Sequence, residues 1–101
     1  MVWTWGPDPI MRSVLAEGLE PGEVLWVLSH DPRWPRPMRA PDTGVFTLTV
    51  WGRTSAGRGV LVATRPLSGR DWEIVGARPL TAAEDAELAG WEADRARRND
   101  A

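Results

Sequence analysis

The 101-residue chain contains no cysteine, which excludes disulfides, thiol catalysis and thiolate zinc sites. Lysine is also absent, so all twelve basic residues are arginine. A GC-rich genome accounts for such a bias by itself, yet arginine brings its own chemistry: a planar fork that grips phosphate or carboxylate through two bonds at once. The single histidine, His30, leaves no multi-histidine metal site within one chain, and neither metal nor cofactor is expected. No apolar run approaches the roughly 18 residues that span a bilayer. The N-terminal MVWTWGPDPI has neither the basic start nor the apolar centre of a signal peptide. There is no Gly-rich phosphate loop, no GKS/T and no HExxH. The chain therefore reads as a single soluble, cytoplasmic domain, large enough for one core with a modest stability margin.

The net charge of -2 conceals a pattern. Residues 1–30 hold one arginine against four acids, residues 31–79 eight against four, and residues 80–101 three against six. A basic centre lies between acidic ends, so local field rather than global pI decides what the surface attracts.

Local signals divide the chain into elements. Val2 to Trp5 suits a short strand. Asp8-Pro9 opens a helix, Asp8 as cap and Pro9 in the first turn, with Ile10, Val14 and Leu15 on one face and Gly18 as its stop. Glu20-Pro21 opens a second helix, largely buried through Val24, Leu25, Val27 and Leu28, and ending near His30. Residues 31–43, DPRWPRPMRAPDT, carry Pro32, Pro35, Pro37 and Pro41 and are expected as an extended, polyproline-like loop. That loop is either a basic, aromatic arm through Arg33 and Arg36 or a connection packing Trp34 onto the body. Val45 to Trp51 alternates as a half-buried strand. Gly59 to Arg65 and Trp72 to Arg78 follow as strands, with turns at 55–57 and 68–70. Strict alternation places Trp72, Ile74, Gly76 and Arg78 on one face of the last strand. Thr81-Ala82-Ala83-Glu84 is a capping box for a final helix packed through Leu88 and Trp91 and fraying over residues 97–101. The expected fold is α+β: an N-terminal strand, two helices, a three-stranded antiparallel meander and a C-terminal helix.

This order and a set of residues resemble the BrnT toxins, relatives of the RelE-type ribonucleases. Gly18-Leu19 with Pro21, Glu23 and Val24, then Asp31-Pro32, Gly52, Gly57-Arg58, the strand ending near Arg65, Gly76-Ala77-Arg78, and Thr81 with Glu84 follow the family pattern. The likeness spans most of the chain and is best from Gly52 to Glu84. Ala16-Glu17 stands where the family often has Lys-His, and Asp85 where it often has arginine. The resemblance implies a type II toxin: a metal-independent endoribonuclease held inactive by a cognate antitoxin, acting on RNA, with a homodimer or toxin–antitoxin hetero-oligomer as the assembly.

Cleavage by the 2′-hydroxyl needs a base, a stabiliser of the charged phosphorane and an acid. In that scheme Arg65 and Arg78, ending neighbouring strands, hold the phosphate. Glu84 takes the proton, since arginine does not deprotonate at ordinary pH. Arg53, Arg58, Arg33 and Arg36 are the candidate RNA contacts, and Trp51 or Trp72 the stacking platform for an unpaired base. Each residue also has a structural use. Glu84 completes the capping box, Arg78 pairs with Glu84 or Glu73, and the tryptophans pack. The absent Lys-His pair and acidic flanks suit a rival reading: a non-catalytic module on the same fold, holding an acidic or amphipathic partner segment or RNA. A third reading is a domain whose arginines only neutralise neighbouring acids.

Overall fold

The computed structural model describes residues 2–39, 44, 46–67 and 69–99. Its elements are β1 (Val2–Trp5), α1 (Asp8–Ala16), α2 (Pro21–Ser29), β2 (Arg33–Arg39), β3 (Phe46–Arg53), β4 (Gly59–Pro66), β5 (Asp71–Pro79) and α3 (Ala82–Asn99). They form an α+β domain around one five-stranded mixed sheet in the order β1-β5-β4-β3-β2. β1 runs parallel to β5, and every other pair is antiparallel. No described helix is long and apolar enough to cross a membrane.

The helices cover opposite faces. α1 and α2 seat Val14, Val24, Val27 and Leu28 on Val50, Val60, Val62, Ile74 and Ala77. α3 seats Leu88 on Trp51 and Leu61, with Trp34, Leu80 and Trp91 around them. α3 starts on the expected capping box: the Thr81 N–H donates to Glu84 Oε1 at 2.9 Å, and the Glu84 N–H to Thr81 Oγ1 at 3.2 Å. The helix continues to Asn99; the final two residues lie outside the described ones.

Two expectations are corrected. The segment expected as a polyproline-like loop over 31–43 is, from Arg33 to Arg39, a strand paired in full with β3; residues 40–43 lie outside the described ones. Proline is tolerated there because β2 is an edge. In an antiparallel pair only alternate residues exchange bonds with the partner, and the others turn their donors outward. Pro35 and Pro37, two apart, put both missing donors on the outer side, while the Arg36 carbonyl points inward and accepts from the Thr49 hydroxyl at 2.9 Å.

The second correction concerns β5. Ala63 pairs with Gly76 but Thr64 with Ile74, so Val75 is an extra residue, a β-bulge. A bulge breaks strict alternation. Ile74 and Ala77 therefore both join the core beneath α1 and α2. Trp72 tilts against Trp3 at 6.5 Å between centroids, and Trp3 packs on that same core. Gly76 and Arg78 pair with Ala63 and Leu61 on the α3 side. Trp72 and Arg78, expected on one face, are on opposite faces.

The candidate site on the open face of β4 and β5

The α3 side of β4 and β5 presents the pairs Leu61 with Arg78, Ala63 with Gly76, and Arg65 with Glu73. α3 covers only part of this face, because it leaves β5 at Leu80 and crosses toward Trp34 on β2. Above Gly76 the face is bare: a Cβ built there meets nothing within 4 Å. The result is a trough of about 250 Å³, lined on this face by Leu61, Ala63, Gly76 and Arg78, and reaching past the edge of β5 beyond β1 to Ala77 and to Ser13 and Glu17 of α1. Ser13 and Glu17 are four apart, hence on one helical face.

An ion pair stands at each end of this row of facing residues. Arg78 Nη1 and Nη2 donate to Glu84 Oε1 and Oε2 at 2.6 and 2.8 Å, a bidentate fork. The Arg78 guanidinium, helped by the Thr81 N–H, holds the Glu84 carboxyl down at about 2. The same bond, opposed by partial burial, raises Arg78 further above its ordinary value. At the far end Arg65 Nε donates to Glu73 Oε1 at 2.7 Å. Arg65 and Arg78 share the face but not a location. Their strands are antiparallel, and Arg65 lies four positions along β4 from Leu61, the partner of Arg78. That spacing is about 13 Å between backbones at an ordinary strand rise, and each guanidinium is held by its own carboxylate. A carboxylate with so low a pKa is also poorly matched to take a proton near pH 7.

The other sequence-derived candidates scatter. Arg53 is shared between Glu92, reached by Nε at 2.9 Å, and Asp85, reached by Nη1 at 2.9 Å; those bonds raise its pKa, the Glu92 bond most. Arg36 donates to Glu87 at 3.0 Å and lies over the Trp34 and Trp51 rings at 4.4 and 4.7 Å. Arg33, three strand positions away, alternates to the opposite face of β2. Arg58 sits in the β3–β4 turn and donates to the Gly18 carbonyl at 3.1 Å. Trp51 is 5 % exposed, with Trp34 edge-on at 5.7 Å, so it is core and offers no platform for a base.

The basic centre and acidic C-terminal segment read from the sequence thus pair with one another at the surface of the same molecule. Glu84, Asp85, Glu87 and Glu92 of α3 take up Arg78, Arg53 and Arg36. What the sequence reading missed was the trough itself. Its available signal was small residues inside strands: Gly76 in a central strand marks a place where something approaches closely. No cluster of metal-ligating side chains occurs among the described residues. The chain matches no protein-family model and no curated protein.

Proposed function

We propose that this chain is a non-catalytic binding module that holds an amphipathic segment of a partner protein in the trough. The observation that carries this reading is the bare apolar floor of Leu61, Ala63 and Gly76, set between ion pairs that are already complete. A floor of small side chains accepts the apolar side of a segment laid across it. The rim adds a preference. Around it stand Arg65 and Arg78 against Glu17, Glu73 and Glu84, an excess of acid, so a segment carrying a basic residue is favoured over an acidic one. RNA is disfavoured in the trough because its arginines are neutralised and no aromatic plane stands beside them. The cognate antitoxin implied by the family resemblance is the first partner to test.

Gly76→Val tests this reading. The new side chain enters open space, and a β-branched residue suits a strand, so the fold is expected to keep its stability within about 1 kcal/mol. Calorimetric titration with the purified product of the adjoining reading frame is expected to show at least a tenfold loss of affinity. Undiminished binding would remove the trough from the interface.

The second reading, a metal-independent endoribonuclease toxin, is favoured by one observation: Arg78 and an ionised Glu84 stand side by side at the mouth of the trough. A phosphate that drew Arg78 away would leave Glu84 a stronger base. Expression of the chain alone separates the two readings. Growth arrest with RNA cleavage, both lost in an Arg65→Ala/Arg78→Ala/Glu84→Ala variant, supports the nuclease. Normal growth with folded protein supports the binding module.

A further inference from the structure

Arg36, Arg53, Arg65 and Arg78 of the sheet pair with carboxylates, whereas among the described residues Arg95 and Arg98 of α3 do not. We propose that the C-terminal half of α3 carries a second site, for an unpaired nucleotide of a single-stranded nucleic acid, built by Trp91, Arg95 and Arg98. These residues are spaced by four and then three, so they form one stripe along the helix. The same stripe begins with Glu84 and Leu88, which dock on the sheet. At 18 residues the helix is about 27 Å long, and its last turns continue past the seat of Leu88 toward the β2 edge. There Trp91 stacks on Trp34, with centroids 5.3 Å apart and planes 5° from parallel. Trp91 stays partly exposed.

Two hollows flank Arg95. One, of about 300 Å³, is lined by Trp91, Asp94, Arg95 and Arg98. The other, of about 280 Å³, lies between Arg95 and the Asp31-Pro32 corner. The first reaches the lower end of the size range of small-molecule pockets. Its chemistry is specific. The Arg95 guanidinium lies over the Trp91 ring, 5.4 Å from its centroid, while Trp34 stacks on the same ring, so a cation now covers a surface that a base can take over. Asp94, the acid of this lining, is engaged by Arg97. Among the described residues neither Arg95 nor Arg98 has a carboxylate partner, in contrast to Arg36, Arg53, Arg65 and Arg78.

An indole beside two guanidinium groups without carboxylate partners is the combination that single strands use: as Arg95 swings from the ring to a phosphate, a base takes its place on the indole, and the flanking phosphates meet the arginines. Trp34 holds Trp91 in place, so the arginine is the part that moves as the ligand arrives. A duplex cannot use it, because its bases are stacked on one another. The site lies on a different part of the molecule from the trough and does not depend on what the trough holds.

The test is fluorescence anisotropy with labelled rU and dT hexanucleotides, a blunt RNA duplex and a polyglutamate peptide. The hexanucleotides are expected to bind, and the duplex and peptide at least tenfold more weakly; the ratio of rU to dT affinity tells which nucleic acid is the natural ligand. Trp91→Ala is expected to weaken binding roughly five- to hundredfold, the range that stacking on an aromatic side chain is worth. Trp91→Phe keeps a plane and is expected to recover most of the loss, which separates stacking from helix docking. Arg95→Gln/Arg98→Gln is expected to lower the dependence of log affinity on log salt by about 1.4, two phosphate contacts on a single strand. Gly76→Val is expected to leave all of this unchanged. No hexanucleotide binding, equal binding of duplex or polyglutamate, or parental affinity in the Trp91→Ala and double-arginine variants would overturn the proposal.

Discussion

Leu88→Ala is expected to lower the free energy of unfolding by about 2–5 kcal/mol, the cost of emptying a fully buried leucine site. Leu88 is fully covered, and it is the one buried residue among the described positions of α3. The remaining attachments are ion pairs and the stack of Trp91 on Trp34. Solvent-accessible ion pairs contribute roughly 0–1 kcal/mol each, the two-bonded fork of Arg78 and Glu84 somewhat more, so they do not replace a lost apolar anchor. A domain of this size has only about 5–15 kcal/mol in total, so one methyl-bearing side chain decides whether α3 stays seated. Urea denaturation followed by tryptophan emission is the measurement. The midpoint is expected to fall, and emission before the transition to shift to the red as Trp34, Trp51 and Trp91 meet water. A loss below 1 kcal/mol would mean that α3 does not rest on this leucine.

Acid is expected to weaken the domain through Glu84. Its carboxyl titrates at about 2 in the fold against an ordinary 4.5. A depressed carboxyl stabilises the folded state above its unfolded pKa, and that contribution is lost as pH falls through the folded one. The window therefore runs from about pH 4.5 down to about pH 2. The full gap corresponds to roughly 3 kcal/mol. Since the Arg78 side chain is 43 % exposed, solvent screening reduces this to about 1–2 kcal/mol. Glu84→Gln keeps an oxygen for the Thr81 N–H but cannot ionise. Its Tm is expected to lie below that of the parent at pH 6, to fall less steeply on acidification, and to converge with the parent near pH 2. Parallel curves would show that the pair with Arg78 contributes nothing.

The features legible in the sequence were those with local causes. The capping box at Thr81–Glu84, the start of α2 at Glu20-Pro21 and the alternation of β3 are set by neighbours within a turn or a strand, and they occur as expected; α2 buries Val24, Val27 and Leu28 but leaves Leu25, expected among them, exposed. The bond between Arg78 and Glu84, six residues apart, was also foreseeable as a structural use of both. Two features with non-local causes were not legible. β2 is a strand only because β3 lies beside it, and four prolines in thirteen residues argue against any regular element. The bulge at Val75 leaves no mark in the order of residues, yet it puts Trp72 and Arg78 on opposite faces of the sheet. Charge shows the same division. A basic centre between acidic ends was plain, but Arg36 and Glu87 are 51 residues apart, and only the fold makes them neighbours. The trough was hidden for the same reason: α1 supplies its wall from the other end of the chain.

The prolines of β2 also bear on how copies of this molecule meet. A sheet border with free amide hydrogens invites a second sheet to join it, and repetition of that event produces fibrils. On the outer side of β2, Pro35 and Pro37 withhold two such hydrogens in succession. A second copy arriving there finds carbonyls with nothing to answer its own, so a chain of copies stops at its first junction. A crowded solution of this arginine-bearing border is therefore expected to remain dispersed, kept so by residues that contribute little to the core.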